Sequence, residues 1–207
     1  MKKSLINYSF CVWVFAVISM AFVACDKDDD DNGGSSVTAN KVTVTISGLS
    51  SKADSVYLVD YTSSSNKPFA RAVVKDDKFS IELPTPTNLY SVEGEFGFGE
   101  GVTASAPFKF CHAAFRAYKN GSSVGEIYYG NNDDDNEIDV VLLYVDRDAT
   151  VTGSETNTIY TQSYNYNLKK GWNYVADIYK GQSDGKDIYE GTTSIPEGVK
   201  WYFLLRI

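Results

Sequence analysis

Histidine, cysteine and methionine are scarce in this chain, and each shortage removes a class of chemistry. His112 is the only histidine, and of the three cysteines only Cys111 lies beyond residue 25. With one cysteine there, no disulfide can form between folded segments. A Ser-His-Asp or Cys-His site would have to use His112. Its neighbour Cys111 is poorly placed to help, because adjacent side chains on a strand point to opposite faces. One histidine and one free thiol also fall short of the ligand set that zinc takes. No catalytic motif appears elsewhere, so the chain reads as non-enzymatic, with no cofactor and no metal. Both methionines, Met1 and Met20, precede Cys25, so the rest of the chain has no thioether to oxidise.

Positive charge is scarce too. The chain holds 19 Lys and Arg against 27 Asp and Glu. Two of the bases, Lys2 and Lys3, sit at the extreme N-terminus, so the chain after residue 24 has 17 bases against 27 acids, a charge of −10. That balance excludes nucleic acid, which needs clustered Lys and Arg, and direct adhesion to anionic lipid. Helical periodicity is missing after residue 36. The glycine-rich stretch Gly94 to Gly101 is followed by no Gly-Lys-Ser/Thr and no helical pattern, so it reads as a loop or distorted edge, not as a phosphate cradle.

The N-terminus carries the clearest signal. Lys2 and Lys3 precede a run of 14 residues, Phe10 to Val23, in which only Ser19 is polar, and the small Ala24 closes it before Cys25. Charge, apolar core and small residue in that order make a secretory signal. The run falls short of the roughly 20 apolar residues of a retained span.

Phe22-Val23-Ala24-Cys25 resembles the lipobox of bacterial lipoproteins, with Phe22 where that family prefers Leu. The resemblance implies cleavage before Cys25, a diacylglycerol on its sulfur and an acylated amine. Lys27 followed by Asp28, Asp29, Asp30 and Asp31 is similar to the surface-export signal of lipoproteins in the Bacteroides group. It implies an outer-membrane protein on the cell surface, held through the lipid on Cys25.

Residues 1–24 are thus expected to be signal peptide and residues 25–36 a lipidated tether. Asp26 to Ser36 holds five Asp, one Lys, two Gly and two Ser and no apolar residue, so it is expected to stay unfolded. Its like charges favour extension, to about 36–40 Å at most.

From Lys41 onward the period is two. Val42, Val44 and Ile46 alternate with Thr43, Thr45 and Ser47, a half-buried strand. Ser55 to Tyr61 is apolar on both faces and therefore central. Asp76-Asp77 predicts a hairpin between Phe69–Lys75 and Lys78–Leu83, and Asn88 to Phe96 reads as a further strand. Asn120-Gly121 predicts a hairpin between Phe108–Lys119 and Val124–Tyr129. Glu137–Val145, Ala149–Gly153, Thr158–Leu168, Trp172–Tyr179, Lys186–Tyr189 and Val199–Ile207 follow, with Asp184-Gly185 as a turn. The motifs Asp177 to Gly181 and Asp187 to Gly191 echo each other as neighbouring strand ends. The fold expected is all-β: one or two antiparallel β-sandwich units after the cleaved signal and disordered acidic tether, with units at 37–100 and 101–207.

Val42-Thr43-Val44, Gly48-Leu49, Asp54-Ser55-Val56-Tyr57-Leu58 and Phe79-Ser80-Ile81 resemble transthyretin-like or fimbrillin-type modules of surface lipoproteins. Residues around Gly171-Trp172-Asn173 are similar to stretches of uncharacterised lipoproteins from the same bacteria, which implies no activity.

Two further features bear on binding. Asn131 to Asp139 is rich in carboxylates, yet it lacks the glycine spacing and flanking helices of a calcium loop and reads as a solvated hairpin loop. Strand parity puts Tyr160, Tyr164, Tyr166 and Leu168 on one face, as core, and Trp201 with Phe203 and Leu205. Tyr128 and Tyr202 then point outward and are the candidate ligand contacts, for a glycan or a surface protein. The function expected is that of a non-catalytic binding or structural lipoprotein. The alternatives are a fimbria-associated subunit pairing through an edge strand and, with no motif to support it, a glycan-acting hydrolase.

Overall fold

The computed structural model describes residues 40–62, 67–93, 97–131 and 137–205. Cys25, the Lys27 to Asp31 run and the rest of the expected signal and tether lie outside the described residues.

The chain is all-β, with antiparallel and mixed pairing. In order come β1 (Lys41–Thr45), a single helical turn α1 (Leu49–Lys52), β2 (Ser55–Asp60), β3 (Pro68–Val73), β4 (Lys78–Glu82), β5 (Tyr90–Ser91) and β6 (Val102–Ala104). Then follow β7 (Lys109–Lys119), β8 (Ser122–Gly130), β9 (Ile138–Val145) and β10 (Ala149–Thr156). Last are β11 (Tyr160–Leu168), β12 (Gly171–Ser183), β13 (Lys186–Thr192) and β14 (Lys200–Leu205). The helix is far too short to cross a membrane.

β1 and β4 form their own two-stranded sheet. Their alternation buries Val42, Val44, Phe79 and Ile81 and leaves Lys41 to pair with Glu82 in water. The expected hairpin of β3 with β4 closes only at its turn. Asp76 and Asp77 are both left-handed and Lys75 faces Lys78, but β3 then joins β2 while β4 joins β1. The two strands open around a shared core, so that Phe79 reaches Phe115 across it at 5.7 Å. Asp77 fastens the opening. Its carboxylate accepts the backbone N–H groups of Gly48 and Ser50, and its own N–H donates to the Ser50 hydroxyl.

The other strands make one large sheet in the order β3-β2-β7-β8-β9-β12-β13-β11-β10-β6, with β14 on β8 and β5 on β7. β2 is buried on both faces, as its sequence implies, and pairs with β7 across the division expected near residue 100. β5 is much shorter than the strand expected at Asn88 to Phe96. From Ala113 onward that edge of β7 is taken by β2, which leaves β5 only Lys109 and Phe110; residues 94–96 lie outside the described residues.

Asn120-Gly121 and Asp184-Gly185 both adopt left-handed turns and close their hairpins as expected. β13 inserts between β11 and β12, parallel to the former and antiparallel to the latter. The echoing motifs thus become true neighbours, with Tyr179 opposite Tyr189. A second core gathers Val145, Val151, Tyr166, Leu168 and Val175 from β9, β10, β11 and β12. The glycine-rich stretch meets this part of the sheet. The left-handed Gly101 and Gly153 approach so closely that a Cβ on Gly153 would lie 2.1 Å from the Gly101 carbonyl oxygen. β6 follows directly after this stretch and pairs with β10.

Candidate functional site

β7 is the strand on which the site is built. Eleven residues long, it meets two partners on one edge: Phe110–Ala113 pair with β9, and Phe115–Lys119 pair with β8. β8 and β9 therefore splay apart as they leave β7 and meet again at Gly130 with Asp139 and, just beyond, at Asn131 with Ile138. A cavity of about 40 Å³ occupies the fork, with His112, Glu126, Tyr129, Val140, Tyr174 and Trp201 among its lining.

Trp201 is 3% exposed, on the inward side that parity assigns it. It stacks on Tyr129 at 5.4 Å and meets Phe115 at 5.5 Å. Its indole N–H and the Tyr174 hydroxyl are both buried with no hydrogen-bond partner among the described residues. The other described tryptophan, Trp172, differs: its indole donates to the Pro84 carbonyl at 2.9 Å. Burial and the neighbouring Tyr129 push the Tyr174 hydroxyl pKa upward.

Tyr128 and Tyr202 lie on the other face of β8 and β14. They are directly opposite in register, with rings 6.1 Å apart, and each is half-buried because it covers the other. The structure thus brings the two sequence candidates together as one aromatic pair. Beside them Arg116 and Glu126 form a 3.0 Å ion pair that is largely out of water.

His112 and Cys111 do point to opposite faces. Cys111 faces the core under β1 and β4, its sulfur 3.7 Å from an Asp60 oxygen, and burial with that carboxylate pushes its pKa to about 12. A thiol held protonated is a poor nucleophile. His112 is 2% exposed, edge-on to Tyr61 at 5.5 Å, and burial lowers its pKa to about 3, so the ring is neutral. Asp60 accepts from the Thr62 backbone N–H and the Tyr90 hydroxyl.

A second polar cluster lies along β9, β10, β11 and β12. Asp139 and Asp177 are directly opposite. Asp177 accepts from the Gln162 amide at 2.8 Å and the Tyr166 hydroxyl at 3.4 Å, while Glu155 accepts from Tyr164 at 2.7 Å. Burial raises the Asp177 pKa to about 6 and pushes Asp139 well above its ordinary value, helped by Asp177 and Glu137. Tyr166 is core, as parity predicts, whereas Tyr160 and Tyr164 are half-buried. Asp139 corrects the solvated-loop reading of Asn131 to Asp139: it is a β9 residue, 5% exposed. Asp133, Asp134 and Asp135 lie outside the described residues. Among the described residues no three His, Cys, Asp or Glu side chains gather closely enough to hold a metal ion. No protein-family model, curated protein or solved structure matches the chain.

Sequence reasoning missed Asp177, Gln162, Glu155 and Tyr174. Asn173, Val175 and Asp177 share a strand face with period two, so parity alone could have flagged Asp177 as an inward-facing acid. Tyr174 shares the opposite face with Trp172 and Ala176 and is visible only as core.

Proposed function

We propose that this is a lipid-anchored protein of the outer membrane, exposed on the cell surface, that binds or builds rather than catalyses. The observation that carries the reading is the order Ala24-Cys25, then Lys27 and four consecutive Asp. The buried chemistry supports the non-catalytic part, since the histidine is neutral and the thiol protonated. The Tyr128–Tyr202 pair is the contact surface proposed for a glycan or a surface protein. Its rings offer apolar faces with polar tips.

One observation favours the edge-strand alternative. β14 pairs only with β8 among the described residues, and Leu204 and Leu205 are 43% and 67% exposed beside its free edge. Such an edge accepts an added strand.

Protease shaving of intact cells tests the location. The parent protein is expected to be digested. With Asp28 to Asp31 replaced by Ser, acylation should persist while most of the protein becomes protected. Equal digestion of both would reduce the acidic run to a spacer.

A further inference from the structure

The fork of β7 leaves a defect in the sheet that side chains do not fill. The ladders stop at Ala113 with Leu142 and at Phe115 with Ile127, and β8 and β9 rejoin at Gly130 with Asp139 and at Asn131 with Ile138. Buried polar groups need a hydrogen-bond partner. Two side chains beside the opening, the Trp201 indole N–H and the Tyr174 hydroxyl, on residues more than nine-tenths buried, lack one among the described residues.

We propose that this opening is a binding site for ordered water, held by the Trp201 indole as donor and by the Tyr174 hydroxyl. Space and chemistry agree. A buried water needs roughly 10–15 Å³ of free volume and two to four polar partners. The cavity offers about 40 Å³. The indole can only donate and the hydroxyl can donate or accept, so water in the cavity can accept from the first and pair with the second. Such a water joins Trp201 on β14 to Tyr174 on β12. An apolar filling would leave both polar groups unmet. Nothing in this inference depends on the cellular location proposed above.

The indole protons make the test specific. In the ¹⁵N-labelled full chain, assigned through the backbone, nuclear Overhauser transfer from water to each indole proton is measured. The Trp201 indole should show a cross-peak whose sign marks a water bound for longer than about a nanosecond, on the timescales of ordered motion. The Trp172 indole, committed to Pro84, should show none. A second measurement uses xenon under pressure, which enters dry apolar cavities. The methyl signals of Ile127, Val140 and Leu142 should not shift. Absence of the Trp201 cross-peak, or xenon-induced shifts at those methyls, would overturn the proposal.

Discussion

Replacing Trp201 by Ala should lower stability by about 3–5 kcal/mol, the usual cost of removing a large buried aromatic. Total stability is only roughly 5–15 kcal/mol, so the variant should melt far below the parent or fail to fold. The indole lies between Tyr129 and Phe115 and anchors β14, which has no partner strand but β8 among the described residues. Tyr202 is the adjacent residue on the opposite face, half-buried against Tyr128. Cross-strand pairs of that kind contribute about 0.2–1 kcal/mol, so Tyr202→Ala should cost about 1 kcal/mol and keep the fold. Denaturant unfolding of the two variants separates the faces. Equal damage would mean that both sides of the last strand carry the core, and Tyr202 would then be lost as a ligand contact.

Stability should also fall as pH rises through the weakly acidic range, the reverse of the usual behaviour of carboxylates. Asp177 has its pKa raised to about 6, and Asp139 is raised well above its ordinary value. A raised carboxyl binds more protons in the folded than in the unfolded chain at intermediate pH. Its stabilising contribution is complete below the unfolded pKa and is lost as pH climbs through the folded one. Asp139 is faced by Asp177 and Glu137, and Asp177 by Gln162 and Tyr166, so among the described residues no cation opposes the trend. A shift of one unit corresponds to about 1.4 kcal/mol. Because Asp177 keeps part of its surface in water, its share between about pH 4 and pH 7 should be about 1–2 kcal/mol. Asp54, Asp77, Asp146 and Asp148 act oppositely. Hydrogen bonds lower all four carboxyls, helped by nearby cations at Asp54, Asp146 and Asp148, so their contribution disappears in stronger acid. The stability maximum is therefore expected on the acid side of neutrality. Asp139→Asn should flatten the alkaline slope and raise the midpoint at neutral pH. An unfolding series across pH that rises steadily toward neutrality, in parent and variant alike, would contradict this.

The turns and faces of this fold were legible because they are local. Asn120-Gly121 and Asp184-Gly185 adopt the left-handed conformations those pairs favour. Period two correctly placed Trp201 inward and Tyr202 outward. Which strands pair is not local. Asp76 and Asp77 adopt the turn that their residue types permit, yet turn chemistry says nothing of which sheet each arm joins. The pairing of Tyr128 with Tyr202, and of Asp139 with Asp177, is a matter of register between distant strands. The fork was hidden for a related reason: β7 reads as one uninterrupted strand, and only the folded chain shows two partners dividing a single edge.

Anchorage through Cys25 is decided most directly at the mature N-terminus. Cells are grown with labelled fatty acid, the protein is isolated, and its N-terminal peptide is weighed by mass spectrometry. The expected peptide begins at Cys25 and carries a diacylglycerol with a further acyl chain on its amine, and Cys25→Ala should take up no label. A mature chain that begins elsewhere without lipid, or a Cys25→Ala variant that still incorporates fatty acid, would contradict the proposed anchorage.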